Sequence, residues 1–184
     1  GEYLAFLQAR HISPSDELQK LIWHVITVHS VSDQALARWQ TLYVTWDEAR
    51  DFCAAKSKRL PTEAEWEKAA RGKSKGLYPW GNEDKPERAN TGLDFTPNPK
   101  AGGEKDGGKR YTLVNFPKTD KSSYGVFGTA GNVSEWTSSI GEEPKNPVIR
   151  GGNWKTKEYH STRRILKLSE LQSDDALGFR TASD

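Results

Sequence analysis

The thirteen residues from Tyr124 to Trp136, YGVFGTAGNVSEW, constrain the fold more than any other stretch. Three glycines, an amide, a carboxylate and aromatic side chains crowd together there. The pattern follows neither the 3.6-residue period of a helix nor the alternation of a strand. It predicts a tight loop whose backbone turns sharply at the glycines. Asn132 and Glu135 would then offer oxygen to a neighbour. Two readings of those oxygens stay open. They join carbonyls around a hard cation such as calcium, or they cap adjoining turns and bind no ion.

The rest of the composition agrees with a loop-rich chain. Of 184 residues only 34% are hydrophobic, while 16 are glycine, nine proline and seven tryptophan. The length suits one domain spanning residues 1–184. Its core should be held by a few large aromatic anchors and not by long amphipathic elements. The 27 basic and 25 acidic residues leave a net charge of +2, which gives no electrostatic case for nucleic acid. No apolar run approaches the roughly 18–20 residues that would span a bilayer. A single cysteine, Cys53, excludes an internal disulfide and any two-cysteine site. A chain that opens on Gly1 and holds no methionine reads as lacking its translated start.

Two helices are marked by their N-termini. Thr45 and Glu48 form a capping box for a helix over 45–56, with Trp46, Ala49, Phe52 and Cys53 on one face. Cys53 in that stripe reads as a small buried hydrophobe. Thr62 and Glu65 form a second box for a helix that runs to Arg71 and stops at Gly72. Glu63, Glu65 and Glu67 in its opening turns complement the helix dipole and need no catalytic role. Residues 1–10 have helical apolar spacing, and 21–29 have strand composition. His24 and His29 would face opposite sides of that strand, so they share no metal site. Residues 78–117 read as almost entirely loop.

Four motifs, in order over residues 44–181, carry a family resemblance. They are KRLPTEAEWE at 58–67, YPWG at 78–81, GNVSEW at 131–136, and RGGNW at 150–154 with Gly178-Phe179-Arg180 near the end. Together they resemble the formylglycine-generating enzyme (sulfatase-modifying factor) family. The resemblance implies an α+β domain of that type within the C-type lectin fold, loop-rich, with two or three helices and short antiparallel sheets. It also implies an N-terminal β-hairpin that this chain lacks, so that either a partner supplies the missing cover or it was lost.

The resemblance further implies two calcium sites. One maps onto Asn90, Thr91, Asp106 and Gly108. The other maps onto Gly131, Val133 and Glu135, with Gly128 standing where the family places an asparagine. The family's two copper-binding cysteines fall on Thr156 and Ser161. A soft monovalent copper ion wants thiolates, and hydroxyls are no substitute. No copper is therefore expected, and the oxidation that generates formylglycine is not expected either.

Three functional readings follow. The first is a calcium-stabilised, non-catalytic binding or scaffold module that docks on a partner protein. The resemblance extends to variable proteins of diversity-generating retroelements, which bind ligands through the corresponding face. Trp154, Tyr159, His160, Arg163 and Arg164 would be the exposed contacts, and aromatics with arginines suit an interface core. The second is an enzyme with different chemistry lined by Tyr159, His160 and Ser161. The third is an accessory subunit of an extracytoplasmic assembly. An extracytoplasmic location, periplasmic or secreted, rests on where calcium-binding relatives work.

Overall fold

The structure is a computed structural model, and it describes Phe6 and residues 42–92, 112–115, 117–142, 146–157, 159–161, 164–165 and 175–184. The first helix, α1, spans Trp46–Ala55. Its start is the predicted capping box: Glu48 N–H donates to Thr45 Oγ1 at 3.3 Å, and Thr45 N–H returns a bond to Glu48 Oε2 at 2.8 Å. Two donors that the helix would otherwise orphan are thereby satisfied. The second helix, α2, spans Glu63–Arg71 and opens on the reciprocal pair Thr62 and Glu65. It ends at Gly72, whose φ of +61° a side chain would resist.

Four strands form one sheet in the order β3-β2-β1-β4. These are β1 (Ser134–Ile140), β2 (Pro147–Arg150), β3 (Arg164–Ile165) and β4 (Leu177–Phe179). β1–β2 and β2–β3 are antiparallel, as expected, whereas β4 pairs with β1 in parallel. The chain between β1 and β4 is long enough for the crossover that parallel pairing requires. The last three residues of GNVSEW are therefore strand and not loop, because tertiary pairing supplies their backbone partners from both sides.

The register divides the sheet into two unlike faces. Phe179, Trp136, Ile149 and Ile165 stand opposite one another across the strands, and so do Gly178, Glu135, Arg150 and Arg164. Residues opposed in a ladder share a face. The apolar row packs with α1 through Ala49, Phe52 and Cys53, joined by Phe6, Val44 and Leu60. Phe52 meets Phe6 and Phe179 edge-on, with centroids 5.4 and 5.6 Å apart. Trp136 Nε1 donates to Val44 O and Trp46 Nε1 to Thr137 O, so the buried ring of Trp136 and the half-buried ring of Trp46 each satisfy their one donor. α2 lies against the charged row. That row positions the site.

Candidate functional site

Glu135 is 0% exposed, which requires its charge to be paired. Trp66 Nε1 donates to its Oε2 at 2.7 Å, Arg180 Nη2 to its Oε1 at 2.7 Å, and Arg180 Nε also reaches Oε2. Such a fork-on-fork pair is the geometry in which an arginine holds a carboxylate most firmly. Trp66 serves Arg150 as well, whose guanidinium lies 5.6 Å from the ring centroid. Arg150 in turn donates to Glu63 at 2.9 Å and to Glu67 at 2.5 Å. Arg164 adds a 2.6 Å ion pair to Glu63, and Arg71 one of 2.8 Å to Glu67. A continuous chain of charge thus ties α2 to β2 and β3. Arg180's remaining reach is to Phe127 O at 3.1 Å, on the glycine loop.

That loop is built around a second buried carboxylate, Asp120. Ala130 N–H and Gly131 N–H both donate to its Oδ2 at 3.1 Å. Burial pushes the Asp120 carboxyl up to about 7, against the opposing pull of those amides and of Arg180. The loop then crosses Asn90 so closely that a Cβ on Gly131 would lie 2.2 Å from Asn90 O. Asn132 follows with a φ of +70°, which asparagine tolerates better than most side chains. It is locked there by Asn90 O, which accepts from Asn132 N–H at 2.7 Å, and by Asn132 Oδ1, which accepts from Asn90 Nδ2 and Thr112 N–H. Asn132 O accepts from Trp154 N–H at 3.0 Å. Asn132 is thus a backbone organiser, which agrees with the reading in which its oxygens serve neighbouring turns.

The face expected to bind a partner is only partly exposed. Trp154 is 6% exposed, and its Nε1 donates to Asp175 O at 3.0 Å. Tyr159 is likewise 6% exposed; it stacks on Tyr78 at 5.1 Å and donates its hydroxyl to Asp84. Burial and the hydrogen bond to Asp84 raise its phenol well above the ordinary range. The expectation that Trp154 and Tyr159 are exposed is therefore corrected. Both are anchors, since a large amphipathic ring gains most by burying its body and bonding its polar tip. His160 and Arg164 are exposed, with His160 packed edge-on against Tyr78 and Arg164 held by Glu63. Arg163, Asp106 and Gly108 lie outside the described residues, as do His24, His29 and the N-terminal segment apart from Phe6.

Three of the four motifs, with the C-terminal Gly-Phe-Arg, meet at Glu135. Trp66 comes from KRLPTEAEWE, Glu135 from GNVSEW, Arg150 from RGGNW and Arg180 from the C-terminal Gly-Phe-Arg. The family model for the sulfatase-modifying factor enzyme 1-like domain matches residues 1–184. The chain belongs to this family. A bovine relative, inactive C-alpha-formylglycine-generating enzyme 2, is 40% identical over 152 residues, covering 77% of this chain and 49% of the bovine protein. The mouse formylglycine-generating enzyme is 36% identical over 167 residues, covering 78% and 44%. The chain therefore spans about half the length of the curated relatives it matches. The crystal structure of CarF shares the fold, with a TM-score of 0.59 at 22% identity, covering 83% of this chain and 69% of CarF.

Thr156 and Ser161, onto which the resemblance maps the family's cysteine pair, both sit in structural settings. Thr156 Oγ1 accepts from Asn153 N–H and donates to Asn153 O, closing a turn. Ser161 is fully buried, its N–H donating to Leu77 O and its carbonyl accepting from Arg150. Among the described residues its Oγ has no hydrogen-bond partner. Cys53 lies in the α1 core, where burial pushes its thiol up to about 11.

The two family calcium positions differ in how well they suit an ion. Asn90 and Thr91 are buried at a loop crossing and carry amide, hydroxyl and carbonyl oxygens of the kind a hard cation prefers, while Asp106 and Gly108 lie outside the described residues. The set Gly131, Val133 and Glu135 does not suit an ion. Both oxygens of its only carboxylate already accept from a guanidinium or an indole, and a dication there would face Arg180 directly. Among the described residues no group of three or more His, Cys, Asp or Glu gathers as metal ligands.

Proposed function

We propose that this chain is a non-catalytic formylglycine-generating-type module that works by docking on a partner protein, as an accessory subunit outside the cytoplasm. The observation that carries the proposal is the pair of hydroxyls at Thr156 and Ser161. Neither can become a thiolate, and the one cysteine of the chain is a core residue far up its titration range. The bovine relative whose name declares it inactive supports the same reading. An alternative chemistry on Tyr159, His160 and Ser161 finds no support in the geometry. Ser161 Oγ is buried and meets no base among the described residues, and Tyr159 is spent on Asp84. Calcium belongs to this proposal at Asn90, Thr91, Asp106 and Gly108, as a structural ion that closes the loop. Among the described residues no helix is long and apolar enough to cross a membrane.

The test is direct. The chain is incubated with copper(I), oxygen and a cysteine-containing sulfatase peptide, and the peptide is analysed by mass spectrometry for conversion of the thiol to an aldehyde. No conversion is expected at any copper concentration. Turnover would overturn the proposal.

A further inference from the structure

The outer stripe of α2 carries Ala64, Glu67, Lys68 and Arg71, spaced so that they share one face. Together with Lys73, Lys75 and Tyr124 it lines an open groove of about 450 Å³. The walls are fixed by the backbone. Arg71 Nε and Nη2 donate to Lys75 O, at 3.2 and 2.5 Å, and fold the 73–76 turn back against the helix end. Lys73 N–H donates to Ser123 Oγ at 2.7 Å, which brings the Tyr124 loop up as the opposite rim. Gly72 permits that approach, since a Cβ on it would sit 2.3 Å from Ser123 Oγ.

The groove is cationic and its charge is open to solvent. Lys68, Lys73 and Lys75 are exposed. The nearby carboxylates are committed elsewhere, Glu65 to Arg59 and Glu67 to Arg71 and Arg150. Tyr124 is 49% exposed beside them, a large ring at a place where folding does not require one.

We propose that this groove takes an acidic peptide segment of the partner protein, its carboxylates on Lys68, Lys73 and Lys75 and an apolar residue on Tyr124. The proposal rests on the docking function argued above and names the chemistry of the contact. A carboxylate ligand fits better than a phosphorylated one for two reasons. Arg71 spends its fork on Lys75 O, Gly76 O and Glu67, so no bidentate phosphate clamp remains. The groove also lies at the carbonyl end of α2, whose partial negative charge opposes a doubly charged phosphate more strongly than a singly charged carboxylate.

A fluorescently labelled peptide of Asp and Glu interleaved with Leu and Phe serves as the probe, read by anisotropy against the 184-residue chain. Binding is expected to weaken at least about tenfold in Lys68→Glu/Lys73→Glu/Lys75→Glu and severalfold in Tyr124→Ala, with melting temperatures unchanged. It should also fall steeply as salt rises from about 50 to 500 mM. Equal binding by the triple variant, or no binding by the unaltered chain, overturns the proposal. Displacement by pyrophosphate or anionic vesicles at concentrations where free glutamate fails would assign the groove to phosphate chemistry and overturn it too. The aldehyde assay reads separately: a chain that turns over its substrate while still holding the peptide loses the non-catalytic reading and keeps the groove.

Discussion

Arg180 grips the buried carboxylate of Glu135 with two of its nitrogens, and Trp66 donates to the same carboxylate from the opposing helix. Removing one partner of a buried pair leaves the other charge uncompensated. Arg180→Met should therefore lower unfolding free energy by about 3 kcal/mol in urea titrations. Adding Glu135→Gln should recover part of that loss, because the stranded charge goes with it. A double variant no better than the single one would show that the pair acts through packing alone.

Asp120 gives the domain a pH dependence of unusual sign for an acidic residue. Its folded pKa of about 7 lies above the ordinary 3.8, so the folded state holds the proton more tightly than the unfolded chain. Stability should then fall as pH rises from about 4 to about 7, by on the order of 4 kcal/mol, and level off above. Glu65, held by Arg59 and lowered to about 2, acts with the opposite sign but in a lower window, between about 2 and 4.5. Melting temperature measured between about pH 4.5 and 8 separates them. Asp120→Asn should flatten that slope, and an unchanged slope in the variant would assign it to another group.

What the sequence made legible was local. Both helices described above could be placed because each begins with a threonine and a glutamate three residues on, and Gly72 marks an end. The alternation of Ser134, Glu135 and Trp136 was obscured by the glycines before it. Their strand character comes from partners thirteen and more residues away in β2 and β4. The same distance hid the role of Arg180, visible as a motif residue but not as the mate of Glu135. Asp120 carries no motif, and only the folded loop over it reveals its place. Trp154 and Tyr159 looked like contact residues because an aromatic side chain in a loop has two common fates. Which one it meets depends on rings such as Tyr78, some eighty positions upstream.

Cys53 offers a test of the α1 core. A thiol pushed up to about 11 and buried under Phe52 is almost wholly protonated at neutral pH. Iodoacetamide should label it at least about a hundredfold more slowly in the folded chain than in urea, by mass spectrometry of timed samples. Cys53→Ala should cost only about 1 kcal/mol, the value of a small buried side chain. Rapid labelling of the native chain would mean that α1 opens readily, since burial outweighs the pull of Lys58 on the thiol in the folded state.

Calcium separates the two loops that the family pattern assigns to it. If the ion sits with Asn90, Thr91, Asp106 and Gly108, Asp106→Asn should abolish the rise in melting temperature that calcium gives over a chelator, by the linkage between binding and folding. Glu135→Gln should lower the melting temperature by the same amount with calcium or with chelator, since Arg180 already holds the Glu135 carboxylate. Elemental analysis of the dialysed protein should find about one calcium per chain. Two ions per chain, with the second lost in Glu135→Gln, would return Glu135 to the ligand set and require Arg180 to swing away when calcium binds. The two variants thus decide whether an internal guanidinium has taken the place of a metal at the glycine loop.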